Sequence, residues 1–347
     1  MSVVIDIAER GLVPDFLVRT GIRRLVRGRI ADEYRGGEPA RLARVNALLL
    51  ELGSSELALE TQAANAQHYE VATGFFQLVL GAHMKYSAAL FEREDTSLDD
   101  AEAAMLALYA VRAGLVDGQQ VLDLGCGWGS FTLWAAGKFP RSRFTAVSNS
   151  ATQRQFIEET ASQRGLLNVE VLTRDVNHLE FDPACFHRVV SIEMFEHMRN
   201  YQLLLARIAR WMKPEGRVFV HIFCHRETAY PYATEGDDNW MGRYFFTGGL
   251  MPAIDTLRHF NDHLEIEQQW SVPGHHYQRT ARAWLDRLDA NHERARTVLV
   301  ATYGQDVDRW MQRWRFFFMA CEELFGYRGG NEWLVAHYRM KRRATAE

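Results

Sequence analysis

Two carboxylates and an imidazole fall within five residues, at Glu193, Glu196 and His197. A carboxylate beside an imidazole moves protons when both line a pocket. The same residues also suit a helix N-terminus, where an acid complements the dipole and the imidazole only caps structure. Upstream, the run Val121–Ser130 passes from aliphatic residues through Asp123 to glycines at 125, 127 and 129. Glycine tolerates positive φ and lets backbone approach a ligand closely, so this reads as strand, tight turn and helix N-terminus. The spacing is G-x-G-x-G. A dinucleotide fingerprint needs a glycine at 130, where Ser130 stands, and an acid at the end of the next strand, which instead closes Ala146-Val147-Ser148-Asn149. The spacing favours S-adenosylmethionine over a nicotinamide cofactor. Aromatic residues gather in two further stretches, Tyr230, Tyr232, Trp240, Tyr244, Phe245 and Phe246 beside Asp237 and Asp238, and then Trp314, Phe316, Phe317, Phe318, Phe325, Tyr327 and Trp333. An aromatic wall with a few acids suits an apolar cation. Most such positions serve a plain core, Phe316 to Phe318 first, because they sit mid-helix.

Strand–helix alternation must position these groups. From about residue 119, strand patterns at 120–124, 143–148, 169–174, 187–193 and 217–223 alternate with helix patterns at 131–138, 151–164 and 199–212. That pitch predicts a mostly parallel sheet covered on both faces. Ligands of such sheets bind at the carboxyl ends of the strands, where the glycine turn, Asn149, Asp175 and Glu193 to His197 all fall. A strand at 263–270, a helical stretch over 280–324 and a last strand, Trp333 to Arg342, follow. Residues 1–118 read as a helical extension. Within it, Leu17, Val18, Ile22, Leu25, Val26 and Ile30 form an apolar stripe beside five arginines between Arg19 and Arg29. Such a helix can lie on an anionic membrane, or dock on its own protein as surface helices do. A further helix over Leu98 to Ala113 opens with Asp99, Asp100 and Glu102, where the dipole favours acids.

Bulk properties exclude several classes. A net charge of -4 gives no sign of nucleic acid. Cysteines 126, 185, 224 and 321 lack C-x-x-C spacing, so no zinc site or disulfide framework is expected, and a reducing, cytoplasmic setting fits. Acids at Asp6 and Glu9 do not suit a secretory leader. No apolar run reaches bilayer-spanning length.

With these residues in hand, the chain resembles the class I S-adenosylmethionine-dependent methyltransferases, and more narrowly the cyclopropane fatty acid synthase superfamily. The resemblance runs from His68 onward. It includes His68-Tyr69-Glu70, Phe75-Phe76, Tyr86-Ser87, the glycine turn, Asn149 to Gln153, and Phe195-Glu196-His197. Within the superfamily it is most similar to the coclaurine, pavine and tetrahydroprotoberberine N-methyltransferases. The stretches Arg207–Met212, Phe219–His225, Arg243–Gly249, Glu323–Tyr327 and Glu332–His337 carry that similarity. The resemblance implies a Rossmann-like seven-stranded sheet whose last strand is antiparallel. It implies a methyltransferase domain over 119–347 with a helical, aromatic substrate lid over about 225–330. Cofactor contacts are implied at Tyr86, Ser87, Gly125, Gly127, Asn149, Gln153, Asp175 and Val176, with Asp123 and Gly129 in the same turn. Glu193, Glu196 and His197 are the expected catalytic residues. His221, Trp240, Tyr244, Phe245, Tyr277, Tyr327 and Trp333 are the expected substrate-binding residues. No metal is expected.

One departure separates two branches of the superfamily. The lipid-cyclopropanating members hold a bicarbonate with a cysteine, a glutamate, a histidine and a tyrosine. The counterparts here are Ala88, Glu196, His221 and Tyr277. Alanine offers no side-chain hydrogen bond, so an anion site is impaired. The expected activity is methyl transfer to the nitrogen of a bulky, aromatic amine, with Glu196 and His197 accepting its proton, Glu193 holding its charge and S-adenosylhomocysteine as product. The alternative is a lipid-modifying enzyme acting on unsaturated acyl chains at a membrane surface. The helical N-terminal region offers a surface for a homodimer.

Overall fold

A computed structural model describes residues 3–58, 71–236 and 239–343. His68-Tyr69-Glu70, Asp237 and Asp238 lie outside the described residues. The strands are β1 Gln120–Leu124, β2 Arg143–Ser148, β3 Val169–Thr173, β4 Phe186–Ile192, β5 Met212–His225, β6 Tyr230–Pro231, β7 Leu250–Met251, β8 Leu264–Val272 and β9 Trp333–Arg342. Seven of them build one sheet in the order β3-β2-β1-β4-β5-β9-β8. β1 to β5 run parallel, and β9 runs antiparallel between β5 and β8, as expected. β1 and the second half of β5 are almost continuously buried, as strands covered on both faces must be.

Two elements differ from the sequence expectation. The stretch 280–324 is three helices, His275–Ala290, His292–Tyr303 and Val307–Phe325, broken at Asn291 and at Gly304, whose φ is 54°. The aromatic segment after β5 contains a small ribbon, β6 against β7, and a short helix, Trp240–Tyr244.

Helix Leu98–Ala113 is not peripheral. Its Met105, Leu106 and Tyr109 are buried in one core with Val121, Phe131, Val190 and Phe219 of the sheet and its neighbouring helix. Helix Asp15–Glu33 docks on helix Val307–Phe325. Arg19 binds Glu322 at 2.7 Å and Glu323 at 2.9 Å, and Arg23 binds Glu323 at 2.6 Å. Arg315 reaches Asp15 at 2.7 Å, and Arg313 reaches Glu9 at 2.9 Å. The basic helix thus pairs with its own protein. Among the described residues no helix is long and apolar enough to cross a membrane.

Candidate active site

The glycine turn is fixed by backbone bonds. The N–H groups of Gly125 and Cys126 both donate to the carbonyl of Val147, at 3.1 and 2.9 Å. This clips the turn to the end of β2. All three glycines have positive φ, 81°, 52° and 74°. A Cβ on Gly125 would lie 2.7 Å from Cβ of Met194, and one on Gly129 would lie 2.6 Å from Cγ1 of Ile157. Around Gly127 the space is open. Gly129 therefore serves the fold, as the N-cap of helix Ser130–Lys138, and Gly127 faces the cavity.

Two chambers meet at this turn. One is lined by Gly125, Gly127, Ser148, Asn149, Gln153, Arg174, Asp175, Val176, Met194 and Met198. The other is lined by Tyr86, Ser87, Asp123, Trp128, Ser130, Phe223, Phe246, Tyr277, Trp284 and Phe317. Gly125, Gly127, Gln153, Glu193 and His197 belong to both. Buried polar atoms without a partner among the described residues cluster here: Asp123 Oδ1, Gln153 Nε2, Ser130 Oγ and Trp128 Nε1. Buried polar groups normally find partners, so these fit a polar, nucleoside-bearing cofactor. Burial pushes Asp123 up to about 7, against the opposing bond from the Thr132 hydroxyl at 2.6 Å.

The Tyr86-Ser87 loop is anchored from below. Buried Glu102 accepts the N–H groups of Gly81 and His83, each at 2.9 Å. Burial pushes its carboxyl up to about 7. Lys85, fully buried, donates to the carbonyl of Ala88 at 2.7 Å, and burial brings its amine down to about 8.

Glu193 is the hub. Its φ of 48° places a non-glycine residue in the left-handed region, a conformation costing roughly 1–3 kcal/mol that marks functional sites. Its N–H donates to the carbonyl of His221 at 2.9 Å, which holds the turn. Its carboxylate accepts three bonds: the Ala88 N–H at 3.0 Å, the His221 Nε2–H at 3.0 Å and the Tyr277 hydroxyl at 2.7 Å. Ala88, His221 and Tyr277 therefore converge, but on a protein carboxylate. Ala88 contributes its backbone, so its missing side-chain donor is immaterial. A bicarbonate held by those groups would occupy the place of Glu193, and the residues do not fit one.

Glu196 sits elsewhere. It is fully buried, accepts the Phe223 N–H at 2.9 Å through Oε1, and lines neither chamber. Its Oε2 has no partner among the described residues. Burial and the nearby Glu193 drive this carboxyl well above the ordinary range. Burial also raises Glu193, against the pull of Lys85, the Ala88 N–H and the Tyr277 hydroxyl. Two neighbouring buried carboxylates cannot both ionise at little cost. The three donors favour the charge on Glu193 and the proton on Glu196, and Glu196 lines neither chamber, which argues against the acceptor role the sequence suggested. His197 lies on the cavity wall, its ring stacked on Phe246 at 5.6 Å, and burial brings it down to about 4, so it is neutral.

The aromatic expectations need correction. Tyr277 lines the cavity and His221 stands directly behind Glu193. Trp240, Tyr244, Phe245, Tyr327 and Trp333 line neither chamber. Trp240 donates from its indole to Glu9 at 2.9 Å, Tyr244 lies under the Arg313 guanidinium, and Phe245 stacks on Phe317 at 4.4 Å. Trp333 is fully buried and donates to the Tyr230 hydroxyl at 3.0 Å, with Tyr327 against it. The cavity wall is instead Phe223, Phe246, Trp284 and Phe317 beside Tyr86 and Tyr277. Two of these were legible: Phe223 shares a strand face with His221, and Trp284 lies two helical turns beyond Tyr277.

The profile of the mycolic acid cyclopropane synthetase family matches residues 58–332. The chain is 38% identical over 340 residues to an (S)-coclaurine N-methyltransferase of Thalictrum flavum subsp. glaucum, covering 96% of this chain and 94% of that one. It is 35% identical to an (S)-coclaurine N-methyltransferase of Papaver somniferum, covering 96% of each. A crystal structure of coclaurine N-methyltransferase bound to N-methylheliamine and SAH superposes with a TM-score of 0.93 at 36% identity, covering 97% of this chain and 98% of that one.

Proposed function

The chain belongs to the mycolic acid cyclopropane synthetase family, and we propose that it methylates the nitrogen of a bulky, aromatic, benzylisoquinoline-like amine. It is an S-adenosylmethionine-dependent methyltransferase. The observation that carries the amine reading is the Glu193 carboxylate, fixed by three donors where the two chambers meet.

S-adenosylmethionine supplies a methyl group already activated on a sulfonium. The chain's own residues do the rest. The glycine turn, Asn149, Gln153, Asp175 and Val176 bind the cofactor on one side, with Tyr86, Ser87 and Asp123 on the other. Phe223, Phe246, Tyr277, Trp284 and Phe317 exclude water from the amine and give a cation an aromatic face. An alkylamine enters mostly protonated, and a protonated nitrogen has no lone pair. Glu193 attracts that cation into the apolar cavity. The proton passes to the Glu193 carboxylate, which burial makes the more basic, and neutral His197 stands beside it on the cavity wall. Glu196, in its acid form, braces the turn through the Phe223 N–H. Positioning of this kind is worth several kcal/mol, and acid–base help adds about 10²–10⁴-fold.

Methyl transfer from labelled S-adenosylmethionine tests the reading. The panel holds benzylisoquinoline and simple arylalkyl amines beside unsaturated phospholipid vesicles. A mass gain of one methyl on an amine is the expected result. Label in the lipid fraction alone overturns it.

A further inference from the structure

Behind Glu193 a buried chain of hydrogen bonds leads away from the cavity and ends at an arginine. His221 and His337 face each other across the β5/β9 pair. His337 Nε2 lies 2.9 Å from His221 Nδ1, and His337 Nδ1 lies 2.6 Å from Nη1 of Arg112. Both imidazoles are fully buried. Arg112 stands in the last turn of helix Leu98–Ala113, with its guanidinium over the Trp270 ring at 4.9 Å. It lines neither chamber.

The direction of every proton along this chain follows from one fact. A guanidinium can only donate. His337 must then accept at Nδ1 and carry its hydrogen on Nε2. That hydrogen points at His221 Nδ1, which must accept, so the His221 hydrogen lies on Nε2 and points at Glu193. The Tyr109 hydroxyl, 2.8 Å from His221 Nδ1, approaches the same accepting nitrogen. Burial and the charges of Arg112 and Lys85 hold both imidazoles well below their ordinary range, so both are neutral and each has one defined tautomer. Reversed, the chain would turn a lone pair of His221 toward the Glu193 carboxylate and expel its negative charge.

We propose that Arg112 is a positioning residue for methyl transfer, acting through His337 and His221 to keep Glu193 an anion. The proposal rests on the reading of Glu193 as the group that holds the substrate amine. The other groups around Glu193 are the Ala88 N–H and Lys85 from the Tyr86 loop, Tyr109 from helix Leu98–Ala113, Tyr277 from helix His275–Ala290, Cys321 from helix Val307–Phe325, and Glu196 and His197 from its own turn. Of these only Tyr109 also reaches His221 Nδ1, from the same side as His337, so it supports the direction that Arg112 sets through His337.

The test compares His337→Gln with His337→Leu, and adds Arg112→Met. A glutamine accepts from Arg112 with its carbonyl and donates to His221 with its amide, so it keeps the direction of the chain. A leucine fills similar space and keeps nothing of it. With the full chain, kcat/KM for an amine substrate is measured from pH 6 to pH 10, with SAH affinity and thermal melting as controls for folding. His337→Gln is expected to keep the pH profile of the parent. His337→Leu and Arg112→Met should lose about tenfold in kcat/KM at neutral pH, since the His221 donor to the Glu193 carboxylate is no longer held in place and Tyr109 restores only part of that hold. Because Glu193 then protonates more readily, the acid limb of their profiles should move to higher pH. A leucine variant with the same profile as the glutamine variant overturns the proposal. So does a loss of equal size at every pH, which marks a packing defect. Arg112→Met is repeated in a Glu193→Gln background, where it should cost little. An equal cost in both backgrounds overturns the relay. A Glu193→Gln enzyme as active as the parent overturns the reading of Glu193 itself.

Discussion

Glu193→Gln removes one charge and little else. The glutamine carbonyl can take the Ala88 and His221 donors, and its amide can donate to the oxygen of Tyr277, so the three contacts at 3.0, 3.0 and 2.7 Å have a counterpart each. The variant should fold and keep the turn. What it loses is the anion opposite a cationic substrate in an apolar cavity. Breaking a buried charge pair by removing one partner costs about 3–5 kcal/mol. The lower end applies here, since the substrate arrives from water and Lys85 already draws on the same carboxylate. About 3 kcal/mol at 1.36 kcal/mol per decade is roughly 10²-fold in kcat/KM. Initial rates of SAH release at saturating cofactor measure it. SAH carries no charge on sulfur, so its calorimetric affinity should hardly change and serves as the control for folding. A kcat/KM within threefold of the parent, with SAH affinity intact, refutes the argument that this charge holds the amine.

Three other outcomes are expected. Glu196→Gln should keep activity within about tenfold, because an amide mimics a protonated carboxyl; Glu196→Ala should lower the melting temperature, having opened a cavity and freed the Phe223 N–H. Gly129→Ala and Gly127→Ala should each cost about 1–3 kcal/mol from positive φ; the close Ile157 contact adds to the cost at 129, while at 127 the methyl group enters open cavity and weakens SAH binding as well. Thermal melting and calorimetry on the two variants separate these effects, and equal SAH affinities would contradict the assignment. Finally, His197 and His276 are each held at about 4 by burial, against 6.5 unfolded. Their folded forms refuse a proton that the unfolded chain accepts, so the contribution of these two imidazoles is full above 6.5 and falls as pH drops toward 4, while the raised carboxyls of Asp123 and Glu102 contribute the opposite way. His276→Gln removes one of the two imidazoles, so its melting temperature should rise relative to the parent between pH 7 and pH 5; a difference from the parent that is the same at both pH values would contradict this.

The sequence made the scaffold legible because a parallel sheet writes itself twice, once as apolar runs and once as the turns that end them. β1 to β5 and the antiparallel β9 lie within a few residues of expectation for that reason. The aromatic wall was poorly legible because composition carries no direction. Phe245 and Phe246 are neighbours in the chain, yet one stacks on Phe317 in the core and the other faces His197. Only the end of helix Trp240–Tyr244 decides which is which, and neither residue type records it.

The acid–base cluster was legible as a cluster and not as a set of roles. Glu193 and Glu196 are chemically identical, and their spacing says nothing of how many donors each will meet. Three donors reach Glu193 from three separate elements: the loop at Ala88, β5 at His221 and helix His275–Ala290 at Tyr277. One reaches Glu196. That difference, set entirely by tertiary contacts, favours the charge on Glu193. It also means that a substitution far along the chain, at Tyr277, should act on the charge of residue 193 without touching its backbone. Tyr277→Phe keeps the ring stacked on Phe325 at 4.2 Å and removes only the hydroxyl. Glu193 should then protonate more readily, and kcat/KM should fall on the acid side of the profile while the alkaline side is preserved. A loss confined to the alkaline side would mean that the hydroxyl serves the substrate directly and that Glu193 does not depend on it.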